Sequence, residues 1–277
     1  MALNAYLQGH ILTSLGLIMV SFPMVFFLAR LFLRPIARTS ANLNLGSVIV
    51  GVGTLMLIYD VLVVQAGVMA MLGLLLSIFW LLYIKWYSIF PERSSPLLAV
   101  GNTLPNLKLE NSEGGEVHTD NFKGSRCILL FYRGNWCPLC MAQVKELVEE
   151  YKTLSARNIK TLLISPQPHR YTRSLANKYG VDFEYLVDND NRVAEQLNIH
   201  SNNGLPTGLQ VYGYSSDTVL PTIILTDEKG VILYADLTQN YRVRPEPAEL
   251  LAFFDGPSPA KVTQNFQQVS LGSLDNS

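Results

Sequence analysis

Three stretches of this 277-residue chain stay apolar for the thickness of a bilayer core. Residues 11–33, 45–64 and 68–87 each offer about 20 apolar positions, which is what a single helix needs to cross the hydrocarbon layer. Gln65, Ala66 and Gly67 are the only break between the second and third stretches, which predicts a tight hairpin of two spans. The first stretch differs from a cleaved signal peptide: no Lys or Arg precedes it, its apolar run is long, and arginines follow it. Gly46, Gly51, Gly53 and Gly73 are expected to let the spans pack closely, because they carry no side chain. Asp60 is the one acid inside a span, and a polar contact to a neighbouring helix is the simplest account of it.

After residue 90 the pattern changes. Residues 91–100, with two prolines and two serines, read as a linker. From 101 to 255 short apolar runs alternate with amphipathic stretches. Residues 126–132 and 159–165 are continuous apolar runs, as in strands covered on both faces. Residues 183–187, 222–226 and 231–235 are further strands, the last two joined by the turn Asp227-Glu228-Lys229-Gly230. Helices are predicted over 141–154, 171–179, 192–197 and 247–254, the second of them stopped by Gly180. That order implies an α/β fold with a mixed central sheet and helices on both faces. Residues 256–277 are polar and rich in Ser and Gln, so disorder is expected there.

Charge sharpens the division. The net charge of −1 hides four basic residues (Arg30, Arg34, Arg38, Lys85) and one acid in 1–90, against 17 basic and 21 acidic residues in the remainder. Neither part has a basic patch suited to nucleic acid. Arg30, Arg34 and Arg38 lie between the first two spans, and Lys85 and Arg93 at the end of the third, so three spans place all five on one side. The tendency of basic residues to stay cytoplasmic then puts the N-terminus outside and the large domain in the cytoplasm. Trp80, Tyr83, Trp86 and Tyr87 supply aromatic anchors for the interface.

Three cysteines are too few for a disulfide framework, and two of them form one C-x-x-C, Cys137-Pro138-Leu139-Cys140. The pair sits where a buried strand gives way to a helix. Pro138 suits the first helical turn, since its missing N–H would be unpaired there. Cys137 then lies near the N-cap, where free N–H groups and the helix dipole stabilise a thiolate, with Arg133 nearby to add to this. Cys140 follows one turn later, within reach of a disulfide. Redox exchange needs one sulfur to attack and a second to resolve, and this spacing supplies both. A zinc site would need two more ligands from Cys127, His118, His169 and His200, which are scattered; no metal or organic cofactor is expected. Cys127 opens an apolar strand and reads as a small buried hydrophobe.

The stretch Phe131-Tyr132-Arg133-Gly134-Asn135-Trp136-Cys137-Pro138-Leu139-Cys140 resembles the active-site stretch of the alkyl hydroperoxide reductase/thiol-specific antioxidant family, peroxiredoxin-like proteins of the thioredoxin superfamily. Gly101-Asn102-Thr103-Leu104-Pro105, Phe122-Lys123-Gly124, Leu220-Pro221-Thr222 and Tyr241-Arg242-Val243-Arg244-Pro245 are similar to other family segments. The resemblance covers about 100–255. It implies a thioredoxin-like fold, a thiol-dependent redox activity, and a cis peptide before Pro221 facing the cysteine pair, with Thr222 beside it. The family pattern P-x-x-x-T-x-x-C places Arg133 at the proline, Cys137 at the threonine and Cys140 at the peroxide-attacking cysteine. The thioredoxin pattern instead makes Cys137 the nucleophile and Cys140 the resolving residue, and the helix-start argument favours that order. Trp136 either shields the pair or packs, Arg242 and Arg244 either reach the site or are solvated, and the long segment 201–217 is a candidate lid.

The function expected is a membrane-anchored thiol–disulfide oxidoreductase that also reduces hydroperoxides. Its partners would be the lipid bilayer, a thiol electron donor (protein or small molecule), and a hydroperoxide or protein disulfide as substrate. A second reading places the domain outside the cytoplasm as a disulfide reductase or oxidase. A third makes it an inactive interaction module with a thioredoxin fold.

Overall fold

A computed structural model describes residues 2–64, 67–90 and 92–255. The middle of the 65–67 turn, Pro91 and the tail expected to be disordered lie outside the described residues. The chain divides into two compact units: residues 1–91 with 239–243, and residues 92–238 with 244–277.

The first unit is helical, and a helix lets these long apolar stretches pair their backbone polar groups within themselves. Its helices are α1 (Ala2–Leu33), α2 (Asn44–Tyr59) and α3 (Val68–Leu82). π-Type turns over Asp60–Val64 and Tyr83–Tyr87 extend the last two. The stretches long and apolar enough to cross a membrane are Ile11–Leu33, Asn44–Val63 and Val68–Tyr87. Val20, Val50, Leu57, Ala70 and Trp80 form the interior, while Leu55, Leu62 and Met71 are exposed on the outer face. Gly73 is needed for the fit, since a Cβ there would lie 2.5 Å from Leu57 Cδ1; a Cβ on Gly51 would meet nothing within 4 Å, so that glycine does not serve packing within the unit. Thr54 Oγ1 donates to Ser77 Oγ (2.8 Å), and Trp80 Nε1 to Ser47 Oγ (3.2 Å). Asp60 is fully buried and accepts from Thr13 Oγ1 across the α1–α2 contact.

Residues 239–243 also belong to this unit. Phe90 N donates to Gln239 O (2.6 Å) and Tyr241 N to Ser88 O (3.2 Å). Arg242 is fully buried among neutral acceptors: Ser88 Oγ (3.0 Å), Thr39 Oγ1 (2.9 Å), Ser40 O (2.9 Å) and Ala41 O (2.7 Å). Arg242 therefore meets neither outcome the sequence left open: it neither reaches the cysteine pair nor is solvated.

The second unit is built on a seven-stranded mixed sheet. Its strands are β1 (Lys108–Asn111), β2 (Glu116–His118), β3 (Arg126–Phe131), β4 (Ile159–Ser165), β5 (Glu184–Val187), β8 (Thr222–Thr226) and β9 (Ile232–Ala235), in the order β2-β1-β5-β4-β3-β8-β9. β6 (His200–Ser201) and β7 (Thr218–Val219) pair separately. β3, β4 and β5 are parallel; β8 returns antiparallel to β3. The helices are α4 (Pro138–Glu149), α5 (Tyr151–Ala156), α6 (His169–Tyr179), α7 (Arg192–Gln196) and α8 (Pro247–Asp255). Leu129, Phe131, Ile164 and Ile224, from the central strands, pack with Leu197 and Leu107 in the core.

Four local expectations change. The helix expected over 141–154 starts three residues earlier and breaks at Glu150, whose φ, ψ of −86°, 4° interrupts it. β1 and β2 were not expected; β1 has one buried residue, Leu109, and the edge strand β2 has none, so neither has an apolar run to announce it. The expected linker is structured from Glu92 onward: Pro96–Leu98 is a 3₁₀ turn, and Leu98 enters the core. The peptide before Pro221 is trans, since no cis bond occurs among the described residues. At the start of an extended strand a trans proline fits without its N–H, and trans is the lower-energy isomer.

Candidate active site

The site is built on the turn that leaves β3. Tyr132 is still paired to the sheet, its N–H donating to Ile164 O (2.9 Å). The chain then reverses through Gly134, whose φ of +146° suits a residue without a side chain; a Cβ there would lie 2.9 Å from Trp136 Nε1 and 3.3 Å from Tyr214 Cε1. Asn135 fixes the turn from below, with its N–H on Gln167 Oε1 and its Nδ2 on Tyr171 O (2.9 Å each).

Cys137 is the N-cap of α4 and Pro138 the first helical residue, as the sequence suggested. Cys137 Sγ accepts from the Cys140 backbone N–H at 3.3 Å. Both cysteines are free thiols, Cys137 4% exposed and Cys140 fully buried. Arg244 brings both terminal guanidinium nitrogens to 3.7 Å from Cys140 Sγ, and its Nη1 also donates to Gln143 Oε1 (2.8 Å) on the next turn of α4.

This arrangement puts a positive charge beside Cys140. Burial raises the Cys140 thiol, but the hydrogen bond from Cys137, the Arg244 charge and the Arg133 backbone N–H outweigh it and bring it down to about 5. Cys137 is held well above the ordinary thiol value, by burial first and then by the Cys140 sulfur. The helix-start argument placed the low-pKa sulfur at Cys137. The geometry favours Cys140, because one backbone N–H does not offset burial of Cys137, whereas Cys140 has a full guanidinium charge against it. Arg133 directs its guanidinium elsewhere, over the Trp136 ring (5.6 Å) and toward Gly204 O (3.4 Å). Tyr132, fully buried, is kept neutral by burial and accepts from Gln167 Nε2 (3.0 Å).

Pro221 and Thr222 flank the site through sheet register, as Thr222 pairs with Phe131 at the end of β3. Arg93 donates to Pro221 O (3.2 Å) and Thr222 Oγ1 (2.5 Å). The segment 201–217 is tied to the cysteine turn: Gly204 O accepts from Arg133, Thr218 Oγ1 donates to Arg133 O (3.3 Å), and Tyr214 stacks on Tyr171 at 4.8 Å. Cys127 is remote from the pair and buried in the core, its thiol pushed up to about 11 by burial. His118, His169 and His200 pair separately with Glu116, Glu110 and Asp217, and no metal-holding group of three occurs among the described residues. Gln143 had no sequence signal, Arg93 was noted only for its charge after the third apolar stretch, and Arg244 lay in a segment already noted.

The second unit is similar to known proteins. Residues 100–235 match the model of the AhpC/TSA family. The chain is 30% identical over 135 residues to a protein of Coxiella burnetii named "Putative peroxiredoxin bcp", covering 49% of this chain and 85% of that one. It is 28% identical over 169 residues to the thiol-disulfide oxidoreductase ResA of Geobacillus thermodenitrificans, covering 61% of this chain and 85% of that one. Among solved structures, peroxidoxin BcpB of Mycobacterium tuberculosis superposes with a TM-score of 0.48 and 18% identity, covering 58% of this chain and 99% of that one.

Proposed function

The chain belongs to the AhpC/TSA family, and on that premise we propose that it is a membrane-anchored thiol-dependent reductase in which Cys140 attacks and Cys137 resolves. The observation that carries the order is the Arg244 guanidinium at 3.7 Å from Cys140 Sγ. A thiolate is the reactive form of cysteine, and Cys140 is the sulfur with a cation to hold it.

With a hydroperoxide as substrate, the Cys140 thiolate attacks the outer oxygen and the O–O bond breaks. The leaving alkoxide takes a proton, giving an alcohol and Cys140 sulfenic acid. The Cys137 thiol then attacks the sulfenic sulfur; its proton leaves with the hydroxyl as water, and the Cys137–Cys140 disulfide forms. Two thiols of an external donor reduce it, becoming a disulfide themselves. Apart from the cysteine pair no cofactor is called for. Arg133 stacks over the Trp136 ring beside the turn, and Pro138 fixes the helix start.

A second reading makes protein disulfides the substrate, with Cys137 leading. It is favoured by the C-x-x-C at a helix start and by Cys137 being the less buried sulfur. For location, we read the three apolar helices as spans with the N-terminus outside and the redox unit on the cytoplasmic face, on the distribution of Arg30, Arg34, Arg38, Lys85 and Arg93. A compartment-specific reporter fused to the C-terminus tests this: activity only on the outer side overturns it.

The test of mechanism uses the full chain in detergent, as wild type, Cys137→Ser and Cys140→Ser, with hydroperoxide and with a small disulfide. A sulfenic-acid-specific dione probe should label Cys140 in Cys137→Ser and label nothing in Cys140→Ser. Labelling of Cys137 in the Cys140→Ser protein would reverse the order. Disulfide exchange without peroxide consumption, lost in Cys137→Ser, selects the second reading.

A further inference from the structure

The second unit keeps its large apolar side chains inside, with few exceptions. Among the described residues of 92–255, the exposed ones are Leu97, Val100, Val211 and Tyr212. The first two lie in the segment by which the chain enters this unit. Val211 and Tyr212 are the most exposed, at 82% and 58%, and adjoin on the 3₁₀ turn Leu209–Tyr212. No Asp, Glu, Lys, Arg or His occurs from Ser201 to Ser216. Gly208 and Gly213, with φ of +99° and +81°, flank the turn. Gly213 N donates to Gln210 O (2.8 Å), and Gly208 N to Gln210 Oε1 (2.9 Å).

Two residues at the start of α6 hold this turn. Tyr212 O accepts from the Tyr171 hydroxyl (2.9 Å) and from the Arg170 guanidinium, which also lies over the Tyr171 ring (4.8 Å). Arg170 is exposed and meets no carboxylate among the described residues. Tyr171 also holds the cysteine turn: its backbone O accepts from Asn135 Nδ2, and its ring stacks on Tyr214, which lies beside Gly134. The chain enters and leaves the second unit at this same end of the sheet. Thr222 pairs with Phe131, at the end of β3, and Arg93 donates to Pro221 O, Thr222 Oγ1 and Thr238 O. Arg93 lies just after the last residue of the apolar helical unit, and Thr238 just before the segment 239–243 that returns to it.

We propose that the Leu209–Tyr212 turn is a bilayer-contacting element: Val211 and Tyr212 enter the membrane interface, with Arg170 against a lipid phosphate, and so keep the cysteine turn at the membrane surface. The inference rests on the reading of the three apolar helices as spans and adds a second point of contact with the same bilayer. Two adjacent apolar side chains held outward on a fixed turn leave apolar surface in water, which insertion removes. A tyrosine suits the boundary between headgroups and acyl chains, where its ring is buried and its hydroxyl stays wet. The stretch around it has no charge to desolvate, and the cation behind it attracts anionic headgroups.

The experiment is photocrosslinking of the full chain in phospholipid nanodiscs, with adducts read by mass spectrometry. The photoreactive residue p-benzoylphenylalanine replaces Val211, or Leu55 on the outer face of α2, or Lys229 in the β8–β9 turn at the opposite end of the sheet. The chain labelled at 211 should form phospholipid adducts, and the chain labelled at 229 should not. Anionic phosphatidylglycerol should raise the yield at 211 about fivefold over zwitterionic phosphatidylcholine, and Arg170→Gln should remove that difference. Equal yields at 211 and 229, or a yield at 211 indifferent to lipid charge when Arg170 is present, overturn the proposal. A crosslink from 211 to a second copy of the chain makes the turn a self-association surface and overturns it too. Absence of lipid adducts at 55 sinks the reading of the apolar helices as spans, whereas adducts at 55 without adducts at 211 sink only this inference.

Discussion

Arg244 and Cys140 are 104 residues apart in the chain, yet both terminal nitrogens of the guanidinium lie 3.7 Å from the sulfur. Replacing Arg244 by Met removes the only guanidinium in hydrogen-bonding reach of Cys140 among the described residues. The Cys140 midpoint should rise from about 5 toward the ordinary thiol value. Peroxide attack at neutral pH should then slow by about tenfold or more, because the thiolate fraction falls. Arg244→Lys keeps the charge but not the fork, and should recover part of the rate. Stopped-flow consumption of hydroperoxide checks both; an unchanged rate in Arg244→Met would falsify the thiolate assignment.

Stability of the reduced form should depend on pH. Cys140 has a folded-state pKa of about 5, below the ordinary thiol value of 9.0. A depressed pKa contributes stability that is fully present above the unfolded value and is lost as pH falls through the folded one. The advantage due to Cys140 should therefore shrink between about pH 9 and pH 5. The disulfide form has no such term, so the difference in thermal midpoint between the two forms should change over that window. A constant difference across it would contradict the depressed pKa.

Gly134→Ala should cost about 1–3 kcal/mol, since the added Cβ meets Trp136 and Tyr214 in a backbone conformation that alanine rarely adopts. The turn must shift, so Cys137 alkylation at fixed pH should speed up. Thermal unfolding and site-resolved alkylation report the two effects separately, and wild-type values for both would show that the turn is not strained by a side chain.

Arg242→Ala should weaken the seat of residues 239–243 in the helical unit. It leaves Ser40 O, Ala41 O and two hydroxyls without their buried donor, at a cost on the order of 2–4 kcal/mol. Chymotrypsin should then cut faster after Tyr241. Cleavage at the wild-type rate would mean that Arg242 does not hold this segment.

Cys127→Ser should leave turnover unchanged. The residue is buried in the core away from the pair, and burial holds its thiol at about 11, far from a reactive thiolate. Loss of peroxide turnover in a protein that still unfolds cooperatively would contradict this.

Much of the architecture was legible in local patterns. The three long apolar helices are visible because about 20 apolar residues in a row have few other uses. The β3–α4 junction is visible because a continuous apolar run ends in a turn and a proline-started helix. Cys137 and Cys140 are visible because a three-residue spacing at a helix start puts two sulfurs within reach. The strands β1 and β2 were missed because one buried residue, Leu109, leaves no periodicity to read. The structured segment after Glu92 was missed because prolines and serines mark a linker and a 3₁₀ turn alike, and only the burial of Leu98 tells them apart.

The sequence by itself determined that there is a redox-suited cysteine pair, that it starts a helix, and that an apolar helical unit precedes it. Those are properties of spacing and periodicity, which act between near neighbours in the chain. Which sulfur has a guanidinium beside it was decided by tertiary structure. Arg244 comes to the site from a distant segment, and Arg242, two residues from it, goes to the other unit. Electrostatic energy depends on distance in space and on burial, and neither can be counted along the sequence.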